Sequence, residues 1–218
     1  KVEIRFRGPH VTPGYWRAPA QTAEAFDTEG YYCTGDAVRW VDPADPQRGL
    51  RFDGRVAEDF KLSSGTFVSV GPLRARIIAA GAPCVYDAVI TGLNRDDVGM
   101  LVFPRLDECR RLAALPEDTP APEVLGHPAV RTFFQRLLDR LWAEGTGSAS
   151  RVARAQVLAE PPAIDHGEIT DKGSINQRAV LQRRAALVEA LHGSGDPYRL
   201  LPSVAANTPA PAGATPPR

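Results

Sequence analysis

The apolar pattern of this 218-residue chain changes character at Gly54, and that change fixes what the chain can fold into. Upstream, Val2-Glu3-Ile4-Arg5-Phe6-Arg7 alternates apolar with polar, which predicts a strand with one buried face. The rest of residues 1–56 reads as further strands broken at Gly8-Pro9, Pro13-Gly14, Asp27 to Gly30 and Asp42 to Gly49. One short helix is expected over Ala20–Phe26. So loop-rich a piece is too small to stand as a fold of its own. Downstream, residues 70–80 carry apolar side chains at helical spacing and stop at Gly81. Two apolar strands follow, at 85–91 and 98–103, joined by the polar turn Asn94-Arg95-Asp96-Asp97. Val130, Phe133, Phe134, Leu137, Leu138, Leu141 and Trp142 form one broad stripe, which predicts a helix over 128–144. A third strand is expected at 152–158 and a last helix at 175–191.

These elements predict an α+β chain. Residues 1–56 are the β-rich edge of a larger domain, 57–195 a small α+β domain, and 196–218 a disordered Pro/Ala tail. A strand at residue 2 with no start Met predicts that the chain begins inside that larger domain.

Charge and composition remove several function classes. Lys plus Arg and Asp plus Glu both number 26, so the net charge is zero and no basic face for nucleic acid is expected. No apolar run approaches the roughly 20 residues of a membrane span, and no signal-peptide pattern opens the chain. Cys33, Cys84 and Cys109 are odd in number and far apart, which predicts neither disulfides nor a metal site, and makes the cytoplasm the default compartment. Only Lys1, Lys61 and Lys172 are lysines; the other 23 basic residues are arginines. A lysine kept inside so Arg-rich a chain suggests a site that needs a compact amine.

Four segments stand out by their order. They are Val11-Thr12-Pro13-Gly14-Tyr15, Gly30-Tyr31-Tyr32-Cys33-Thr34-Gly35-Asp36, Gly54-Arg55 through Phe60-Lys61-Leu62-Ser63-Ser64-Gly65 to Val68, and Gly167-Glu168-Ile169-Thr170-Asp171-Lys172-Gly173. Alone, each has a plain reading: Thr34-Gly35-Asp36 is a good β-turn, and Lys172 a surface-loop lysine. As an ordered set over residues 1–190 they resemble the C-terminal third of the AMP-forming adenylating enzymes, the superfamily of acyl- and aryl-CoA synthetases. The wording around Lys61 and Lys172 is most similar to feruloyl-CoA synthetases.

The resemblance implies a two-step chemistry. A carboxylate attacks the α-phosphate of ATP to give an acyl-adenylate and pyrophosphate, and the thiol of CoA then displaces AMP. It implies that Asp36 accepts the ribose hydroxyls, with Arg55 as a donor on the same edge. It implies that Lys172 serves adenylation, where a fixed cation meets developing negative charge, and that Lys61 serves thioester formation. Ser63, Ser64 and Gly65 would line the pantetheine path, with Gly65 allowing close backbone approach. Ala57 would be the hinge between half-reactions. Relatives often carry Asp or Lys at the hinge, Gly-Lys where this chain has Gly167-Glu168, and Glu where it has Arg74.

The family's Gly-rich phosphate loop, its acyl pocket and its Mg ligand are absent from this sequence. The expected partners are therefore a small carboxylic acid, ATP, CoA and an N-terminal domain of the same polypeptide, with neither nucleic acid nor a membrane span. The isolated chain is expected to be inactive. Two alternatives stay open: an adenylation domain that loads a carrier protein, and a non-enzymatic α+β module that docks on a protein.

Overall fold

The computed structural model describes residues 2–194 and 199–203. The chain divides into two compact units, residues 1–60 with 67–73, and residues 61–66 with 74–218.

The first unit is a three-stranded antiparallel sheet of β1 (Val2–Phe6), β2 (Tyr32–Trp40) and β3 (Leu50–Arg55), with β2 in the middle. Helix α1 (Pro19–Ala25) starts on a proline, whose missing N–H costs nothing in a first turn. Thr34-Gly35-Asp36 is not a turn, as those residues read alone suggest. It lies inside β2, where Gly35 takes φ +69° and the pairing slips on both sides, between Glu3 and Arg5 and between Asp36 and Val38. Such a bulge frees backbone groups from the ladder. Here side chains take them up: Gly35 N–H donates to Glu3 Oε1 at 3.0 Å, and the Thr34 hydroxyl donates to Ile4 O at 2.7 Å.

The expected buried face of β1 is not found among the described residues. Val2 is paired with Val38, and Val38 with Phe52, so the three share one face of the pleat. Val38 in the central strand is buried, but Val2 and Phe52 are each 62% exposed. Trp40 and Leu50, opposite one another, are also exposed. Gly54 has a separate reason to be glycine: it takes φ +96°, and an added Cβ would lie 3.0 Å from Gly71 Cα.

Two short strands follow, β4 (Phe60–Lys61) and β5 (Phe67–Val68), and then α2 (Val70–Ala80). Helix α2 ends at Gly81, where a Cβ would strike Val85 Cγ2 at 2.3 Å, so only glycine lets the chain turn back so tightly.

The second unit holds a sheet in the order β6 (Val85–Thr91), β7 (Val98–Pro104), β8 (Val152–Val157). Strands β6 and β7 are an antiparallel hairpin, while β7 and β8 are parallel. The crossover between the parallel pair runs through α3 (Leu106–Ala113), α4 (Ala121–Gly126) and α5 (Pro128–Glu144). Helix α5 packs on β8, α3 and α4, and buries Val130, Phe134, Leu137, Leu138 and Leu141. On the opposite face Val89, Leu101 and Phe103 meet Ile175, Val180 and Leu191 in a fully buried cluster. The exposed edge of β6 is covered by the buried Gln177, whose Oε1 accepts Ile90 N–H at 3.1 Å.

Two expectations need correction here. The single helix expected at 175–191 is two, α6 (Gln177–Arg183) and α7 (Ala185–His192), broken where Arg184 leaves helical geometry to bury its guanidinium. The tail expected to be disordered from 196 is ordered at 199–203. Leu200 pairs with Ala155 through two backbone hydrogen bonds of 3.0 and 2.8 Å, and Ser203 bonds Asp139. Residues 196–198 and 204–218 lie outside the described residues.

Candidate functional site

In the first unit the fold brings Asp36 and Arg55 together. The ladder makes them direct cross-strand partners on β2 and β3, and Arg55 Nη1 lies 3.0 Å from Asp36 Oδ1. The same nitrogen donates to Thr34 O at 3.2 Å, so the guanidinium is fixed against the bulge. Both side chains are part-exposed, which leaves a carboxylate acceptor and a guanidinium donor side by side at the surface. That donor and acceptor set matches the needs of a vicinal diol.

Beside the pair stands Tyr32, a residue that sequence reasoning did not assign to the site. Its hydroxyl lies 3.1 Å from that of Tyr15, which holds the Tyr32 phenol above its ordinary pKa. Ala57, the expected hinge, is exposed in a short 3-10 turn, Val56–Glu58, inside the first unit. Asp59 ends that turn, and its Oδ1 accepts Val70 N–H at 2.9 Å at the start of α2.

In the second unit Lys61 is exposed, and its carbonyl accepts Asn94 N–H at 3.0 Å. The next residues form a tight loop against the β6–β7 turn. Ser63 N–H donates to Arg95 O at 2.9 Å and its hydroxyl to Asp96 Oδ1 at 2.7 Å. Ser64 pairs with Thr66 through their hydroxyls at 2.9 Å. Gly65 has a backbone reason to be glycine in this loop. An added Cβ would meet nothing within 4 Å, but φ is +80°. The β6–β7 turn is held in its turn by Asp97, which pairs with Arg154. The His192 ring, 4% exposed, closes this cluster, with Nε2 2.8 Å from Thr91 Oγ1; its desolvation, aided by the charge of Arg154, pulls its pKa down to about 4.

Lys172 sits at the tip of a small hairpin. Ile169 and Ile175 pair as a β-bridge, Thr170 N–H donates to Ser174 O, and Gly173 N–H to Thr170 O, each bond 2.8 Å. Asp171 and Lys172 therefore occupy the two exposed middle positions of a four-residue turn, with Gly173 at φ +79° closing it. Tyr86 donates from its hydroxyl to Gly173 O at 3.3 Å.

Glu168, four residues earlier, is a different kind of residue from the lysine that relatives place after the glycine. It is fully buried, and Arg184 grips it with Nε–Oε1 at 2.8 Å and Nη2–Oε2 at 2.9 Å. Ala163 N–H adds a third bond of 2.7 Å. The Arg184 bond outweighs the cost of burial and holds the Glu168 carboxyl down at about 2. Arg74, the other departure, makes a two-pronged pair with Asp87 at 2.6 and 2.5 Å and reaches Ile175 O.

An apolar recess of about 380 Å³ opens between α5, β8 and α7, walled by Phe134, Leu158 and Leu187 with Arg184 at its edge. None of the expected site residues lines it. Among the described residues no group of three or more His, Cys, Asp or Glu side chains is gathered to hold a metal, and no helix is long and apolar enough to cross a membrane.

No protein-family model matches the chain. Curated proteins do. Acyl-activating enzyme 16 of Arabidopsis thaliana is 24% identical over 196 residues, covering 87% of this chain and 27% of the relative. A long-chain-fatty-acid–[acyl-carrier-protein] ligase of the same plant matches at the same identity and coverage of this chain, over 25% of its own length. Human long-chain-fatty-acid–CoA ligase 1 is 37% identical over a shorter stretch of 67 residues, 31% of this chain and 9% of the relative. The adenylation domain of a carboxylic acid reductase from Segniliparus rugosus, solved with AMP and a co-purified carboxylic acid, superposes with a TM-score of 0.63 at 26% identity, over 86% of this chain and 27% of that one. The chain spans about a quarter of the length of the two plant relatives. Its relatives and structural neighbours are AMP-forming adenylation domains, and it has their mixed α+β fold.

Proposed function

We propose that this chain is the C-terminal portion of an ATP-dependent, AMP-forming carboxylate–CoA ligase. The observation that carries the reading is the Asp36–Arg55 pair, a carboxylate and a guanidinium on adjacent strands, 3.0 Å apart and open to solvent. In this reading Asp36 accepts from the ribose hydroxyls of ATP or AMP and Arg55 steadies that carboxylate while offering donors to the same edge. Lys172, on its exposed turn, supplies a point charge to the phosphate that gathers negative charge during adenylation. Lys61 serves thioester formation, and the Ser63–Gly65 loop guides the pantetheine arm of CoA. ATP provides the leaving group that activates the carboxylate, and a Mg ion, held by residues outside this chain, would offset phosphate charge. In this reading the small domain, read from the sequence as 57–195, turns about Ala57 with its moving core in the second unit, so that Lys172 and Lys61 act in turn.

The acid is aromatic, of the feruloyl class, or a fatty acid, and the reaction runs in the cytoplasm. In this reading the chain alone is inactive, because the phosphate loop and acyl pocket belong to an N-terminal domain of the same polypeptide. A second reading, transfer to a carrier-protein thiol, is favoured by the acyl-carrier-protein ligase among the relatives.

ATP–pyrophosphate exchange tests the core of this proposal. The complete ligase should exchange with its acid, and Asp36→Ala should raise the KM for ATP by roughly 10² as a charge-assisted bond of about 1.5–3 kcal/mol is lost. Exchange by Asp36→Ala with an unchanged KM for ATP would remove the ribose assignment. Supplying CoA or a phosphopantetheinylated carrier to the preformed acyl-adenylate separates the two thiol readings.

A further inference from the structure

The buried ion pair below the Lys172 turn has no place in the chemistry above, and a buried charge without a purpose is expensive. Two charges taken out of water lose several kcal/mol of hydration each, and apolar side chains of similar volume often do as well. Yet Glu168 is fully buried, Arg184 is only 4% exposed, and both are fully engaged. Arg184 also donates to Glu160 O at 3.1 Å and Pro161 O at 2.8 Å and stacks over the Phe103 ring. Arg183 adds a contact from the rim, 3.4 Å from either carboxylate oxygen.

What this network holds is one leg of the hairpin whose tip is Lys172. Glu168 O accepts Asn176 N–H at 2.9 Å, which closes the root of the hairpin directly above the carboxylate. The other leg has its own cationic anchor. Arg74, fixed by Asp87, reaches Ile175 O at 3.4 Å, and Gln177 ties the following turn to β6. The four turn residues are exposed and the tip is held from outside the hairpin by the Tyr86 hydroxyl on Gly173 O at 3.3 Å, so the rest of the turn's direction is set at the root.

We propose that Glu168 is a positioning residue for Lys172: gripped by Arg184, it fixes the root of the 168–176 hairpin and thereby aims the lysine. The inference rests on the proposed role of Lys172 in adenylation. It also accounts for the departure at 168. The residue after Gly167 has been given over to an internal anchor, and the amine is carried instead on the turn that this anchor holds.

The test uses the complete ligase and its two half-reactions. Glu168→Gln, which keeps shape but removes the charge, should lower kcat for ATP–pyrophosphate exchange by roughly 10², the cost of misplacing a reacting group by about 1 Å. The KM for ATP should stay within about threefold, and thioester formation from supplied acyl-adenylate within about threefold. A merely structural loss would lower both half-reactions together, and that result overturns the proposal. So does exchange at the parental rate. Arg184→Lys, which keeps a cation but loses the two-pronged grip, should reproduce the split at about tenfold and serves if Glu168→Gln does not accumulate. Lys172→Ala separates this inference from the reading beneath it. If Lys172→Ala still exchanges, the lysine assignment fails. If Lys172→Ala loses exchange and both anchor variants keep it, only the positioning role fails.

Discussion

The two units of this chain bury their apolar residues to very different degrees. In the second, the sheet is covered on both faces: Val89, Leu101 and Phe103 on one side, and the residues that meet α5 on the other, are within a few per cent of fully buried. In the first, one face of the sheet carries Val2, Trp40, Leu50 and Phe52 at exposures from 43 to 62%. Both sheets have three strands, so strand number does not decide the matter. The second unit owns the helices that complete its core, whereas α1, the one α-helix wholly in the first among the described residues, contributes no buried residue. A sheet with one bare apolar face is stable when something covers it. The second unit thus closes a core of its own, whereas the first leaves an apolar sheet face open among the described residues.

The largest test of that difference is to divide the chain after Phe60, which keeps residues 61–66 and 74–203 of the second unit together on a piece that also carries 67–73 of the first. Residues 61–203 alone should give a dispersed amide spectrum and a cooperative thermal transition, while residues 1–60 alone should give neither. A folded, monomeric 1–60 would abolish the contrast. Within the second unit, Leu138→Ala empties a fully buried site on α5 and should cost about 2–5 kcal/mol in chemical denaturation of residues 61–203. A cost below about 1 kcal/mol would mean that the α5 contact is looser than its burial indicates.

Acid should also act on the second unit selectively. His192 titrates at about 4 in the folded chain against an ordinary value near 6.5, because burial disfavours the imidazolium. The unfolded chain therefore takes up a proton that the folded chain refuses. The His192 contribution is complete above about pH 6.5, is lost as the pH drops towards 4 and levels off there, by about 3 kcal/mol, while the low carboxyl of Glu168 gives a separate loss between its ordinary 4.5 and about 2. His192→Gln, which can still meet the Thr91 hydroxyl, should flatten this slope between pH 6.5 and 4. An unchanged slope in that variant would assign the effect elsewhere.

How much of this was legible in the sequence follows the same division. The second unit announces itself: α2, β6, β7, α5 and β8 stand where periodicity puts them, because their burial is one-sided or complete and imprints a pattern. Helices α3 and α4 leave no such imprint. One buries only Cys109, and the other is six residues long and bounded by Pro120 and His127. The break at Arg184 hid inside a run that keeps apolar spacing on both sides, although Arg183-Arg184 interrupting the stripe was a signal. Asp36 and Arg55 were legible only as a resemblance, since 19 residues separate them and the bulge that aligns them turns on one glycine. Glu168 was not legible at all. A glutamate beside a glycine in a polar loop looks solvated, and its burial is created by an arginine 16 residues away.

The smallest expected effect gives the finest test of the contrast. Phe52→Ser removes a large apolar side chain from the bare face of the first unit, where it is 62% exposed and leaves no core cavity behind. A site that is already mostly wet forfeits little on truncation, so the stability of the 218-residue chain should change by no more than about 0.5 kcal/mol. Self-association should respond instead, because a contiguous exposed apolar face draws together copies of the chain. In sedimentation velocity over a concentration series, Phe52→Ser should shift the distribution towards monomer at unchanged Tm. A fall in Tm as large as that of Leu138→Ala would show that Phe52 is core, and the first unit would then be as complete as the second.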